Sequence, residues 1–213
     1  MISKVLCLTR DDPKVSHLSQ VQALIEGGAR FIQLRTKVLP VKERFDQATQ
    51  SLKLCRMSQT KMIVNDHLQL AAQIGADGVH LGQTDGSVEQ ARDLLDPGTL
   101  VGRTVHSMKE AKSVKLEKPD YVGIGPYRAS RTKQCLKPVL HDEEFRKIAT
   151  YLMPIPVYLI GGLSYLDFPL IKKLGVFGLA LCSSLFSNNS ITNNTNLALR
   201  AFGEFPPAGT LVN

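Results

Sequence analysis

Two aspartates that follow short apolar runs are the residues of this sequence best placed to do chemistry. Met62–Val64 is followed by Asn65 and Asp66, and Gly78–Leu81 carries His80 and is followed by Gln83 and Asp85. Between the runs, Leu68, Leu70, Ala71 and Ile74 fall at roughly helical spacing, and Gly75 is a natural stop. The pattern predicts strand, helix, strand, with a carboxylate just past the carboxyl end of each strand. Parallel pairing would set those ends side by side, within reach of one hard cation such as Mg²⁺. The plainer reading of Asp66 is a cap on the helix that follows it.

Other apolar runs end in the same way. Gln33, Arg35 and Lys37 cluster at the end of Phe31–Leu34, and Thr104, His106 and Ser107 lie at the end of 100–105. A polar loop, 125–138, follows Tyr121–Ile124 and carries Ser130, Thr132 and Lys133, two hydroxyls and an ammonium suited to phosphate groups. Gly161 and Gly162 follow the run 156–160, and Cys182 and Ser183 close the run that begins at Val176. Arg offers an oxyanion two parallel bonds, Lys a point charge, and bare backbone N–H groups near a strand end a cradle. Each has a bland counterpart: a solvated strand end, turn glycines, a helix cap, or an amide satisfied by local backbone. His80 reads as a satisfied core group, and His17, His67 and His141 as surface or helix-start positions.

The elements that must carry these residues alternate regularly. A strand over 2–8 ends at Thr9, Arg10 and Asp11, with Pro13 barring any continuation, a helix fits 16–26 before Gly27 and Gly28, and a second helix follows Pro40. After Asp85, Ser87 can cap a helix to Leu95, and Asp96-Pro97-Gly98 turns the chain. Further helices fit around Glu110 and Ala111, over 142–152 and over 166–174. Eight strand-and-helix units divide the 213 residues into steps of about 27. That count predicts an α/β protein with a (β/α)₈ TIM barrel as a single domain over 1–205, followed by a tail over 206–213. A doubly wound open sheet is the alternative, but the GxGxxG turn of its dinucleotide binders is missing after the first strand. The Asn-rich stretch 187–196 reads as an irregular loop or a frayed helix start.

A chain with 43% hydrophobic residues can bury one substantial core. Its formal charge of +7 is spread over most of the length without a basic block, which favours phosphorylated small molecules over nucleic acid as partners. The four cysteines form no CxxC pair and read as free thiols of a cytoplasmic protein. No run of eighteen apolar residues calls for a membrane. A homo-oligomer is compatible with all of this.

Taken in order, the strand-end residues resemble those of one family, the thiamine-phosphate synthases with their paralogue the thiazole tautomerases. The family pattern of QxRxK, ND, HxGQxD, SxH, GPxxxTxTK, GG and a final Ser stands here as Gln33 to Lys37, Asn65-Asp66, His80 to Asp85, Thr104 to His106, Gly125 to Lys133, Gly161-Gly162 and Ser183. Thr104 replaces a Ser and Ser130 a Thr, hydroxyl for hydroxyl; Val38, Leu39 and Pro40 stand where a Gly and polar residues are common. The resemblance implies coupling of a hydroxymethylpyrimidine diphosphate to a thiazole phosphate, giving thiamine phosphate and pyrophosphate with the help of Mg²⁺. It implies that Asp66 and Asp85 hold the metal and that Arg35, Lys37 and Lys133 act on the diphosphate. Gln33, Asn65, Thr104, His106, Ser130, Thr132, Gly161, Gly162, Cys182 and Ser183 would complete the substrate pocket. A tautomerase needs no diphosphate clamp, and a non-catalytic paralogue that binds a phosphorylated ligand is the third reading.

Overall fold

In a computed structural model of the chain, which describes residues 2–128 and 140–204, eight parallel strands close into a barrel in sequence order, each followed by a helical segment. The strands are β1 (Val5–Leu8), β2 (Phe31–Leu34), β3 (Lys61–Asn65), β4 (Gly78–Leu81), β5 (Leu100–Val105), β6 (Tyr121–Ile124), β7 (Val157–Ile160) and β8 (Gly178–Leu181). β1 pairs with both β2 and β8, which closes the ring. The expected barrel is therefore present. Ser130, Thr132, Lys133, Cys135 and the tail from 206 lie outside the described residues.

Alternation along each strand sorts side chains into two cores. Residues such as Val5, Cys7, Ile32, Leu34, Val64, Val79 and Val101 face the helices and join one outer cluster. Leu6, Phe31, Ile63, Tyr121, Tyr158 and Ala180 face inward and fill the barrel. The rings of Phe31, Tyr121 and Tyr158 meet one another with centroids 5.5 to 6.1 Å apart, two of the three contacts edge to face, each such pair adding about 0.5–1.5 kcal/mol to its area burial. Room for Tyr121 comes from Gly102 on β5, where a Cβ would lie 2.2 Å from the ring. Gln33, Asn65, His80 and Thr104 sit one inward position closer to the strand ends and are all buried. The aromatic layer is thus the floor on which a polar layer rests.

The helices begin and end where local chemistry allows. They are α1 (His17–Glu26), α2 (Val41–Met57), α3 (Leu68–Ile74), α4 (Val88–Leu94), α5 (Met108–Glu117), α6 (Asp142–Leu152), α7 (Pro169–Leu174) and α8 (Ile191–Ala201). Ser16, Ser87 and Ser107 accept backbone N–H bonds at the starts of α1, α4 and α5. Gly75 ends α3 in the left-handed conformation. Three expectations need correction. The helix expected over 166–174 is a short 3₁₀ turn, Tyr165–Asp167, then α7, because Pro169 can open a helix but not continue one. Of the irregular loop or frayed helix start expected over 187–196, the loop is overturned: a 3₁₀ segment runs to Asn189 and α8, capped by Ser190, begins at Ile191. His17 starts its helix as expected but is 2% exposed, so it is no surface residue. No helix among the described residues is long and apolar enough to cross a membrane.

Candidate active site

Asp66 and Asp85 meet, as the β3–β4 pairing predicts. Asn65 pairs with His80 across the two strands, and the Asp66 N–H then donates to the His80 carbonyl at 2.9 Å. This bond holds Asp66 at φ 63°, a conformation that a non-glycine residue adopts at a cost and that recurs at functional sites. The cap position of α3 belongs to His67, and the Asp66 carboxylate turns instead to the Lys37 ammonium. Asp66 is therefore not the helix cap.

Asp85 is fixed by its own loop: its Oδ2 accepts the Gly82 N–H at 2.8 Å. The loop is held from below by Arg103, which donates to the carbonyls of Gly82 at 2.6 Å and Gly86 at 2.8 Å and pairs with Glu117. Glu117 also accepts the Val88 N–H at the start of α4. Arg103 lies on the outward face of β5 and is 4% exposed. The only hint of it in the sequence is a charge between Val101 and Val105 on a face that should be apolar.

Electrostatics at this pair favour a bound cation. Burial pushes the Asp85 carboxyl above the usual carboxylate range, and the charge of Asp66, within hydrogen-bonding reach, pushes it further; the Gly82 N–H and Lys37 act against both. Two carboxylates in contact, one of them answered by an ammonium, fit a divalent ion. No group of three or more His, Cys, Asp or Glu side chains that could hold a metal gathers among the described residues. Two carboxylates suffice for Mg²⁺, which commonly completes its shell with water and substrate phosphate oxygens. A cavity of about 830 Å³ reaches the same pair from the side of α2, α3 and α4.

A stability measurement separates this reading from a purely structural one. The folded pKa of Asp85 lies above its unfolded value, so the folded state holds a proton that the unfolded state releases earlier. Stability therefore falls as pH rises from the unfolded carboxyl pKa through the folded one. Asp85→Asn removes the repulsion while keeping an oxygen for the Gly82 N–H, and should raise the metal-free Tm by about 1–3 °C. Mg²⁺ should raise the Tm of the parent protein and leave that of Asp85→Asn unmoved. A lowered Tm, or a retained Mg²⁺ response, would contradict the assignment.

The remaining expected residues fall into two levels. Gln33 is 3% exposed and reaches the buried Tyr121 hydroxyl. His80 bridges that hydroxyl, at 3.1 Å, to Thr104 Oγ1, at 2.7 Å. Thr104 is thus tied into the floor, and His80 is the core group that the sequence suggests. At the upper level, Gln83 donates to the Thr104 carbonyl. His106 places Nδ1 on the Gly125 carbonyl, so that nitrogen carries the proton and Nε2 is the basic one.

Arg35 and Lys37 lie beyond β2 and serve opposite sides. Lys37 meets Asp66 at β3, whereas the Arg35 charge bears on His17 and on Cys182 at the end of β8. Burial pushes the Cys182 thiol up, against Arg35 and Arg10, which lower it. Ser183 opens the 3₁₀ segment just past it. At β7, Gly161 has φ 97°, and a Cβ there would lie 2.7 Å from Pro126. Arg128 crosses to the Gly162 carbonyl at 3.0 Å and forks onto Asp167 at 2.9 and 2.7 Å, tying the glycine pair to the residues just past β6.

The chain is similar to known proteins in both sequence and fold. A family model described as thiamine monophosphate synthase matches residues 5–185. The chain is 34% identical to the thiamine-phosphate synthase of Bacteroides thetaiotaomicron over 182 residues, 84% of this chain and 87% of that one. It is 36% identical to the thiamine-phosphate synthase of Myxococcus xanthus over 198 residues, 93% and 90% of the two chains. Among solved structures, a thiamine phosphate pyrophosphorylase from Pyrococcus furiosus superposes with a TM-score of 0.82 at 28% identity, covering 94% of this chain and 96% of the other.

Proposed function

The chain belongs to the thiamine monophosphate synthase family, a family of transferases, and we propose that its strand-end residues couple a hydroxymethylpyrimidine diphosphate to a thiazole phosphate. The pyrimidine methylene loses its bond to the diphosphate oxygen, the thiazole nitrogen forms a bond to that carbon, and pyrophosphate departs with the electron pair. Charge builds on the leaving group, so the site needs cations there more than it needs a protein nucleophile. The observation that carries the reading is the contact of Asp66 with Asp85, beside Lys37.

Each group has a task that follows from its place. Asp66 and Asp85 would hold Mg²⁺, which supplies Lewis acidity to the departing diphosphate. Lys37 and Arg35, on either side of the β2 end, bind diphosphate oxygens, and Lys133, outside the described residues, would join them. Asn65, at the inner wall, and Gln33, below it, present amides to the pyrimidine. Ser183, Gly161 and Gly162 receive the thiazole phosphate at the position after strands seven and eight that this barrel uses for phosphate. Ser130 and Thr132, close to Lys133 in sequence, would add hydroxyls. The cytoplasm is the proposed location, supported by the free thiols of Cys7, Cys55 and Cys182.

The experiment is a pair of assays on the same protein, coupling of the two substrates and isomerisation of the thiazole carboxylate phosphate. Ionisation and capture need no carbon-bound proton moved, so His106→Ala should keep coupling within about tenfold. In a tautomerase the basic Nε2 of His106 would carry the reaction, and its loss would cost roughly 10²–10⁴-fold. Isomerisation without coupling in the parent protein, abolished in His106→Ala, would replace the synthase reading.

A further inference from the structure

We propose that His17 is a positioning residue: with Thr9 and Asp11 it clamps the backbone that presents Arg35 and Lys37 to the diphosphate. Nothing in the spacing of His17 suggests this, since the helix start it occupies lies on a different element from the segment it controls. His17 Nδ1 lies 2.8 Å from Thr9 Oγ1, and Nε2 lies 3.2 Å from Asp11 Oδ1. Thr9 Oγ1 accepts the Arg35 N–H at 2.9 Å, and the Asp11 carboxylate accepts the Lys37 N–H at 3.1 Å from each oxygen.

The directions of these bonds are fixed by what each group can do. Asp11 can only accept, so in the neutral ring Nε2 is the donor and Nδ1 takes the hydroxyl proton of Thr9, whose oxygen still accepts the Arg35 N–H. Nε2 then carries the ring proton and donates it to Asp11, whose remaining lone pairs take Lys37. The imidazole is neutral in this arrangement, in accord with burial lowering the His17 pKa against the opposing pull of Asp11. One ring therefore ties the N–H groups of residues 35 and 37 to the tip of β1. The intervening carbonyl, of Thr36, lies 3.2 Å from His67 Nε2 on the other side. Three successive residues are gripped by groups just past β1, which His17 of α1 braces, and at the start of α3, although the Lys37 side chain itself is half in solvent. A side chain that must meet a mobile diphosphate gains by starting from a fixed backbone, because less order is lost on binding.

This inference rests on the reading of Arg35 and Lys37 as diphosphate ligands, and its test keeps the two apart. The rate of coupling is measured while each substrate is varied in turn, for His17→Ala, Thr9→Val, Lys37→Ala and the His17→Ala/Lys37→Ala pair. His17→Ala and Thr9→Val should each raise KM for the pyrimidine diphosphate on the order of tenfold, with KM for the thiazole phosphate within about twofold of the parent. In the Lys37→Ala background, His17→Ala should cost less than it does alone, because the part that acts through Lys37 is already lost and only the part that acts through Arg35 remains. Equal rises in both KM values, or full additivity in the pair, would show a merely structural residue and overturn the proposal. An unchanged KM in His17→Ala beside a raised one in Lys37→Ala would overturn it while sparing the clamp; an unchanged KM in Lys37→Ala would remove the clamp itself and the proposal with it. Should His17→Ala not fold, Thr9→Val, which keeps shape and loses only the hydroxyl, decides alone.

Discussion

Asp66→Asn protein should release pyrophosphate on the order of a hundredfold more slowly than the parent, or slower still, at saturating substrates and Mg²⁺. Asn keeps the shape and tolerates the left-handed backbone that Asp66 adopts at φ 63°, so the loss is one of charge rather than of fold. The remaining carboxylate, Asp85, is itself the one that burial makes harder to ionise. EDTA should abolish the activity of the parent protein, and added Mg²⁺ should restore it. Full activity from metal-free Asp66→Asn protein would show that these two carboxylates do not serve the reaction.

Lys37→Ala should lower kcat/KM for the pyrimidine diphosphate roughly a hundredfold and leave KM for the thiazole phosphate near its parent value. Lys37 is the side chain that touches the carboxylate pair and also lies at the mouth of the barrel, so it can pass from Asp66 to a diphosphate oxygen as the metal takes over the carboxylates. Its loss has a second signature. Asp66 and Asp85 would face each other without their counter-charge, so metal-free Lys37→Ala protein should melt below the parent and gain more from Mg²⁺. An unchanged kcat/KM together with an unchanged Tm would place Lys37 outside the site.

The barrel was legible because its period is local. Each short apolar run ends in polar residues, each helix has its stop or cap nearby, and Gly75, Ser87 and the Asp96-Pro97-Gly98 turn act within a few residues of themselves. The meeting of Asp66 with Asp85 was legible for the same reason, since one strand, helix and strand bring them together. What escaped is long-range. Arg103 supports the Asp85 loop from the outer face of β5, and its partner Glu117 lies at the far end of α5. His17 reads as an ordinary helix-start residue until β1 and β2 are paired and Thr9 is set against Arg35. Gln33 and Thr104 were legible as strand-end polar groups, but their tie to Tyr121 and His80 depends on which inward layer each occupies, a matter of barrel closure rather than of spacing.

The central claim is that this site expels pyrophosphate from a pyrimidine diphosphate only to join the pyrimidine to a thiazole phosphate, with Mg²⁺ held by Asp66 and Asp85. The most direct measurement mixes purified protein with both substrates and Mg²⁺ and follows pyrophosphate and thiamine phosphate together. The account predicts that the two appear in equal amounts, that omission of either substrate or of Mg²⁺ stops both, and that Asp66→Asn slows both alike. Pyrophosphate formed without thiamine phosphate, or neither product formed by folded protein with Mg²⁺ present, would contradict it.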